Sequence, residues 1–216
     1  MIAHWNIQQG SLEWHKLRYG KIGGSTSKGL MVDSDTLLDE LISARLEEFE
    51  PDDDPYESSA MERGNDLEPL ARQRLSEYTG YDFLECGWLQ SESIPLIGIS
   101  PDGITKDLKV ACEIKCPGRK KHTNTLRNKI LPLDHTHQTL HNFTVNRNLE
   151  KMFFMSFRPE SLHQMFVYEV DQSTIINLGT KAKPVVKPVK DWVVLLRERA
   201  TSMEIKVDDG IKALQF

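Results

Sequence analysis

The chain lacks the features that mark secreted and membrane-spanning proteins. Its 216 residues include only three cysteines, and this odd number argues against a closed disulfide framework. There is no run of about 18 apolar residues, so no membrane span is expected. The first residues also lack the apolar core of a signal peptide. These absences indicate a protein of the reducing cytoplasm that has no membrane partner.

A general excess of positive charge is missing as well. The chain has 27 Lys and Arg against 32 Asp and Glu, which gives a formal net charge of −5. Any contact with nucleic acid must therefore come from a local cluster of basic side chains. Such a cluster lies in the acid-free stretch between Ile114 and Leu133, and its members are Arg119, Lys120, Lys121, Arg127 and Lys129. We predict a DNA-binding track here, with an ordinary solvated basic face as the alternative.

The hydrophobic pattern predicts a domain that mixes helices and strands. At this length a single domain over 1–216 can bury a sizeable core. Apolar residues at helical spacing predict helices over 11–18, 36–49, 58–78, 134–148 and 191–204. Apolar or alternating segments predict strands over 81–90, 94–100, 108–116, 151–158 and 163–170. Seven acids and two prolines over 47–57 predict a solvated loop.

The chain is organised around residues 100–117, which read Ser-Pro-Asp-Gly-Ile-Thr-Lys-Asp-Leu-Lys-Val-Ala-Cys-Glu-Ile-Lys-Cys-Pro. Asp102 lies in a Pro-Asp-Gly turn, and Glu113 and Lys115 follow on one face of an alternating strand. A hairpin with its turn over 101–106 would place Asp102 beside Glu113, with Lys115 two residues further along. The pattern therefore brings two carboxylates and an ammonium to the end of one strand.

These residue types suit the hydrolysis of a phosphodiester. Mg²⁺ prefers oxygen ligands and keeps several waters, so one or two carboxylates suffice to hold it. The bound cation makes a water more acidic, and a second cation can stabilise the leaving oxygen. A lysine beside that water can orient it and offset the developing charge. The alternative is an ordinary hairpin with an aspartate in its turn and a glutamate–lysine pair on its surface.

The spacing Pro-Asp-x10-Glu-x-Lys resembles the catalytic signature of the restriction-endonuclease-like metal-dependent nucleases. Four separated motifs narrow the resemblance to the phage lambda-type alkaline exonucleases, because they occur in the same order. The motifs are Glu-Trp-His-Lys-Leu-Arg-Tyr-Gly-Lys-Ile-Gly-Gly-Ser at 13–25, Arg-Gly-Asn-Asp-Leu-Glu at 63–68, Ser-Pro-Asp-Gly at 100–103 and Glu-Ile-Lys-Cys-Pro at 113–117. The resemblance covers about residues 11–170, and a C-terminal helix and tail over 188–216 follow this core.

The resemblance implies a restriction-endonuclease-like α/β core, in which helices flank a central mixed sheet. It implies a Mg²⁺-dependent 5′→3′ exonuclease that digests one strand of linear double-stranded DNA from a 5′-phosphorylated end. The product would be a 3′ single-stranded overhang for recombination. Two Mg²⁺ ions per active site are expected, and Mn²⁺ is expected to substitute. Family members form a ring-shaped homotrimer and work beside a single-strand annealing protein, in the cytoplasm of a bacterial host if the chain is encoded by a phage.

The resemblance also assigns residues that hold metal. Asp102, Glu113 and the Ile114 carbonyl are expected to hold one cation, and Asp102 together with Glu68 the other. Lys115 is expected to position the attacking water. Without the resemblance, Glu68 would be one surface glutamate among many.

Four further residues are assigned to the DNA and the water by the same resemblance. Arg18, Ser25 and Ser100 are expected to bind the terminal 5′-phosphate, and Gln138 is expected to bind the water or the scissile phosphate. From the residues themselves, Arg18 and Ser25 can equally be an exposed arginine and a plain helix cap. Leu140 stands where the family usually carries a second glutamine, so that contact is absent.

Two other functions stay open at this point. A PD-(D/E)xK endonuclease of restriction or repair type would share the fold but would need no 5′-phosphate pocket. A catalytically inactive DNA-binding module would keep the hairpin, although the intact set of Asp, Glu and Lys argues against it.

His137 and His141 have the spacing of zinc ligands on a helix, but no companion ligand is in place. We therefore expect both histidines on the surface or facing a groove.

Overall fold

The computed structural model describes residues 1–51, 59–179 and 182–214. The predicted acidic loop over 47–57 lies largely outside this part of the chain, and so does Ser58, the predicted start of a helix. None of the described helices is both long and apolar enough to cross a membrane.

Helices and strands follow one another along the described chain in a mixed order. They are β1 (Ile2–His4), α1 (Leu12–Arg18), α2 (Lys28–Val32), α3 (Asp35–Leu46), α4 (Ser59–Thr79), β2 (Trp88–Gln90), β3 (Gly98–Ile99), β4 (Gly103–Ile104), β5 (Val110–Lys115), α5 (Arg119–Asn128), α6 (Leu133–Val145), β6 (Lys151–Phe157), β7 (Met165–Asp171), β8 (Ile175–Asn177), β9 (Val186–Pro188) and α7 (Val189–Ala213).

The central sheet has the strand order β4-β5-β6-β7 and is mixed. Strands β5 and β6 pair in parallel, whereas β4–β5 and β6–β7 pair antiparallel. The parallel pair requires a crossover connection, and α5 and α6 supply it. The described chain also forms two smaller antiparallel sheets, with the strand orders β1-β2-β3 and β8-β9. The predicted fold class, a mixed sheet flanked by helices, is confirmed.

Strand β5 is covered on both faces, because a hydrophobic cluster lies on each side of the central sheet. Val110, Cys112 and Ile114 pack in a cluster with residues of α4. Ala111 belongs to the larger cluster, to which α6 and α7 contribute. Cys112 is thus a buried core residue with a free thiol. Glu113 alternates with Cys112 and so enters the interior as a carboxylate.

Helix α7 runs from Val189 to Ala213, well beyond the predicted range of 191–204. Its buried side chains recur every three or four residues, which is the spacing of one helix face. They are Val189, Trp192, Leu196, Ala200, Met203 and Val207. This face belongs to the larger hydrophobic cluster, so α7 is part of the core rather than an appendage.

Three local predictions are wrong. Of the predicted strand over 94–100, only Gly98–Ile99 is a regular strand. Of the predicted strand over 81–90, only Trp88–Gln90 is a regular strand, and Leu84 forms a single bridge to Ile104. Just before this strand, the backbone at Gly87 lies against the backbone at Ile7, since a Cβ on Gly87 would lie 2.1 Å from the Ile7 carbonyl oxygen. The hairpin turn lies over 105–109 rather than 101–106, because Ile104 already pairs with Ala111.

His141 is completely buried, which corrects the prediction that it lies on the surface or in a groove. Its Nε2 lies 2.9 Å from the Gly98 carbonyl oxygen and 3.1 Å from that of Ile22. Burial lowers the pKa of this imidazole to about 4. The neutral ring therefore donates from Nε2 and ties α6 to the chain segments at Ile22 and Gly98.

This burial predicts a loss of stability in mild acid. The folded-state pKa of His141 lies below the ordinary value of 6.5, so only the unfolded chain takes up the proton as the pH falls from 6.5 towards 4. Protonation of His141 in the unfolded chain should lower the free energy of unfolding by about 3 kcal/mol over that range, because one pKa unit corresponds to about 1.4 kcal/mol. Urea unfolding at several pH values should show a flatter pH profile for His141→Gln than for wild type. His163→Gln, at an exposed ring, is the control, and parallel profiles for His141→Gln and wild type would contradict the expectation.

Candidate active site

The β4–β5 hairpin brings Asp102 and Glu113 together. Gly103 pairs with Cys112, so the residues that flank this pair, Asp102 and Glu113, lie opposite each other. The Ile114 amide donates a hydrogen bond to Asp102 Oδ2 at 2.6 Å, which fixes the aspartate against the end of β5. The two carboxylates are therefore positioned by regular strand pairing rather than by a mobile loop.

Lys115 forms ion pairs with both carboxylates. Its Nζ lies 2.5 Å from Glu113 Oε1 and 3.7 Å from Asp102 Oδ2. Burial by itself would lower the pKa of Lys115, but Glu113 and Asp102 together raise it above its ordinary value. Lys115 is therefore a firmly charged ammonium beside the two acids.

Glu113 is a buried carboxylate without adequate partners. Its side chain is fully buried, and neither carboxylate oxygen accepts a hydrogen bond of normal geometry from the described residues. Burial and the charge of Asp102 raise the pKa of Glu113 to about 8, against the opposing effect of Lys115. A buried acid of this kind takes up a proton near neutral pH unless a further positive charge stabilises its ionised form.

Glu68 approaches the same cluster from α4. Arg72, one helical turn later, donates from Nη2 to Glu68 Oε1 at 2.6 Å. Burial and the charge of Asp102 nevertheless raise the pKa of Glu68 to about 6. The structure therefore brings Glu68, Asp102, Glu113 and Lys115 into one electrostatic cluster.

The cluster fits a hard divalent cation. Among the described residues, no three histidine, cysteine, aspartate or glutamate side chains are placed so that they could hold a metal by themselves. Mg²⁺ needs only one or two carboxylates and completes its shell with water. Glu113 Oε2, which has no partner among the described residues, and the excess of acid charge are what such an ion would neutralise. Asp102, Glu113 and the Ile114 carbonyl are the groups that would hold it.

A small cavity of about 160 Å³ lies on one side of the cluster. Asp102 lines it, and so do four other residues predicted to be functional, namely Arg18, Ser25, Ser100 and Gln138. The site also contains Gln9 and Trp14, to which the sequence analysis assigned no role in the site. Gln9 Nε2 donates to the carbonyl oxygens of Cys86 and Pro101, which fixes the wall beside the Pro-Asp-Gly turn.

Arg18 is a cation without an acidic partner in the described chain. It ends helix α1, which Ser11 caps by accepting a hydrogen bond from the Trp14 amide. Its guanidinium carbon lies 3.7 Å from the centre of a Trp14 ring and 5.7 Å from that of Trp88. Burial lowers the pKa of Arg18 to about 10, which still leaves it charged at neutral pH. An anion is the ligand that such a guanidinium would attract.

The other side chains that line the small cavity differ in how firmly neighbouring residues fix them. Ser25 is exposed, whereas Ser100 Oγ donates to the Gly87 carbonyl oxygen at 2.6 Å and accepts from Trp14 Nε1 at 2.9 Å. Ser100 thus fixes the tryptophan that stacks on Arg18. Gln138 lies against Gly24, where an added Cβ would lie 2.9 Å from Gln138 Cγ. Only a glycine at position 24 leaves room for this glutamine.

A large groove, with a volume of about 910 Å³, lies on the other side of the cluster. Glu68, Lys115 and the basic residues Arg63, Arg119, Lys120 and Lys121 line it. Arg127 in the last turn of α5 and Lys129 just after the helix are exposed and outside the lining of this groove. Helix α5 is anchored by His122, which is buried between Ser156 Oγ and the His163 carbonyl oxygen, each at 2.8 Å.

Comparison with known proteins identifies one family and several related folds. The sequence profile of the YqaJ-like viral recombinase domain matches residues 13–148. A search of curated protein sequences found no match. Among solved structures, the alkaline exonuclease LHK-Exo from Laribacter hongkongensis has a TM-score of 0.75 at 22% identity, over 95% of this chain and 96% of that chain.

Two further solved structures have the same fold. LHK-Exo in complex with dAMP matches with a TM-score of 0.69 at 22% identity, over 94% of this chain and 97% of that chain. A phage-related exonuclease from Haemophilus somnus 129PT matches with a TM-score of 0.58 at 12% identity, over 90% and 96%. At these identities the likeness establishes the fold.

The unpaired guanidinium predicts that inorganic phosphate stabilises the protein through Arg18. Phosphate at about ten times its dissociation constant should add about 1.4 kcal/mol to the unfolding free energy, because it binds only the folded chain. Thermal unfolding with increasing phosphate should raise the midpoint of wild type and of Lys16→Met, an exposed change on the same helix. Arg18→Met should show no such rise, and an equal rise in that variant would show that the anion binds elsewhere.

Proposed function

Because the chain belongs to the YqaJ-like viral recombinase domain family, we propose that it is a Mg²⁺-dependent deoxyribonuclease acting on the ends of duplex DNA. It digests one strand of linear double-stranded DNA from a 5′-phosphorylated end, in the 5′→3′ direction. The other strand is left as a 3′ single-stranded overhang for recombination.

One arrangement carries this proposal: the acid–lysine cluster separates a small anion-attracting cavity from a large basic groove. Asp102 lines the small cavity and Lys115 lines the groove, and 3.7 Å separates their charged atoms. A strand whose terminal phosphate lies at Arg18 would present its first phosphodiester to this cluster. The rest of the duplex would lie along the groove, where Arg119, Lys120 and Lys121 can neutralise backbone phosphates.

The small cavity supports an exonuclease rather than an endonuclease. A volume of about 160 Å³ is of the size to hold a phosphate group, and Arg18 in its lining has no acidic partner among the described residues. The position of the terminal phosphate would then set the register of cleavage and its polarity. The related LHK-Exo has been crystallised with dAMP, a mononucleotide that bears a 5′-phosphate. A pocket of this kind in the present chain would suit release of such mononucleotides.

Each side chain of the cluster has a distinct role in the proposed hydrolysis. Asp102, Glu113 and the Ile114 carbonyl would hold one Mg²⁺, and Asp102 with Glu68 would hold a second; Mn²⁺ would take the same oxygen ligands. Bound Mg²⁺ supplies an acidic water and neutralises charge on the phosphate and the leaving oxygen. Lys115 orients the attacking water, and its positive charge stabilises the transition state. The Gln138 amide holds the water or the scissile phosphate from the opposite wall.

The proposal also includes two assemblies that the family resemblance implies. One is a ring-shaped homotrimer that encloses the duplex and keeps the enzyme on its substrate. The other is a complex with a single-strand annealing protein, which would receive the overhang.

Loss of Lys115 should separate catalysis from binding. Lys115→Ala should lower turnover on linear duplex by about 100-fold or more, because the ammonium acts on the reacting groups, while DNA affinity changes little. End-labelled duplex with Mg²⁺ measures cleavage, and Ca²⁺ in place of Mg²⁺ allows affinity to be measured without it. Lys109→Ala is the matched control, since Lys109 pairs with Glu150 at the far end of β5. Near wild-type turnover would remove Lys115 from the mechanism.

The form of the DNA ends should decide between the exonuclease and an endonuclease. With Mg²⁺, linear duplex bearing a 5′-phosphate should be degraded to mononucleotides, linear duplex with a 5′-hydroxyl more slowly, and closed circles not at all. Arg18→Gln should reduce the difference between the two linear substrates, because it removes the charge that binds the phosphate. Linearisation of closed circles at a comparable rate would instead favour the endonuclease.

A further inference from the structure

Arg72 contacts Glu68 from outside the lining of the large groove. Glu68 lines the groove, and Arg72 does not, although it follows one turn later on α4. Only 14% of the Arg72 side chain is exposed. Its stem passes beneath Gly103, where an added Cβ would lie 3.3 Å from Arg72 Cδ. Arg72 is therefore placed to act on the site through Glu68 rather than by touching DNA.

The guanidinium of Arg72 faces two carboxylates at unequal distances. Nη2 lies 2.6 Å from Glu68 Oε1, and Nη1 lies 3.5 Å from Glu85 Oε2. Its Nε is buried and makes no hydrogen bond within the described residues. Glu85 belongs to the segment between α4 and β2, and 48% of its side chain is exposed. The closer partner belongs to the cluster, and the second partner lies outside it.

We propose that Arg72 is a positioning residue that exchanges partners, holding Glu68 when the site is free and turning to Glu85 when Glu68 binds a divalent cation. This inference rests on the proposed role of Glu68 in the second metal site. A divalent cation bound by Glu68 would repel the nearby guanidinium and so weaken its contact with Glu68 Oε1. A buried guanidinium that lost its partner would be costly. Glu85 offsets that cost, because it already lies within ion-pair distance of Arg72.

The exchange predicts that Glu85 supports cation binding only through Glu68. Calorimetric titration with Mn²⁺, repeated with Mg²⁺, should be made on wild type, Glu85→Gln, Glu68→Gln and the double variant. Glu85→Gln should weaken the affinity by about tenfold, the usual effect of losing a residue that orients a ligand. In the Glu68→Gln background the same change should have no further effect. Glu85→Asp should restore part of the affinity, since it keeps the carboxylate.

Two controls separate this exchange from simpler effects. Glu77→Gln removes an acid from the solvent side of α4, where Glu77 pairs with Arg74, and should leave the affinity unchanged. Thermal unfolding without cations should give similar midpoints for Glu85→Gln and wild type, because the Arg72–Glu68 pair persists in both.

The outcomes distinguish this inference from the proposed function. An equal loss of affinity on replacing Glu85 in both backgrounds would indicate only long-range attraction between Glu85 and the cation, and would overturn the exchange. Unchanged affinity in Glu85→Gln would overturn it as well, while leaving the nuclease proposal intact. Absence of cation binding in wild type would overturn both.

Discussion

Repulsion among acidic side chains in a partly water-excluded cleft is the constraint on which the site depends. Asp102, Glu113 and Glu68 converge there, and among the described residues only Lys115 and Arg72 pair with them. Burial and the charge of Asp102 raise the pKa of both glutamates. The free protein therefore bears a cost that a hard cation would remove. Such a cost is typical of sites in which stability is given up for binding.

The order of strands and helices positions the other residues around this cluster. Parallel pairing of β5 with β6 sends the chain through α5 and α6 before it returns to the sheet. Helix α5 then borders the large groove, and α6 presents Gln138 to the small cavity. Two buried histidines hold these helices, His122 against β6 and His141 against the segments at Ile22 and Gly98. The histidines thus serve as structural anchors.

The sequence predicted most elements whose apolar residues repeat clearly, and it missed those without such a repeat. Helix α5 reads Arg-Lys-Lys-His-Thr-Asn-Thr-Leu-Arg-Asn and buries only His122 and Thr125, so no apolar stripe reveals it. The predicted strand over 81–90 failed for the opposite reason. Its residues are apolar enough, but regular pairing is confined to Trp88–Gln90, and Gly87 just before it packs against the Ile7 backbone.

Local sequence determined which residue types could act together, because Asp102, Glu113 and Lys115 share one hairpin and strand geometry sets their spacing. The position of Glu68 and the union of Arg18, Ser100 and Gln138 in one cavity were decided by tertiary structure. So was the pairing of Arg72 with Glu68 and Glu85. These groups come from separate elements, and only packing of α1, α4 and α6 around the sheet sets their distances. Burial, and with it the electrostatic strength of the cluster, is likewise a property of the whole fold.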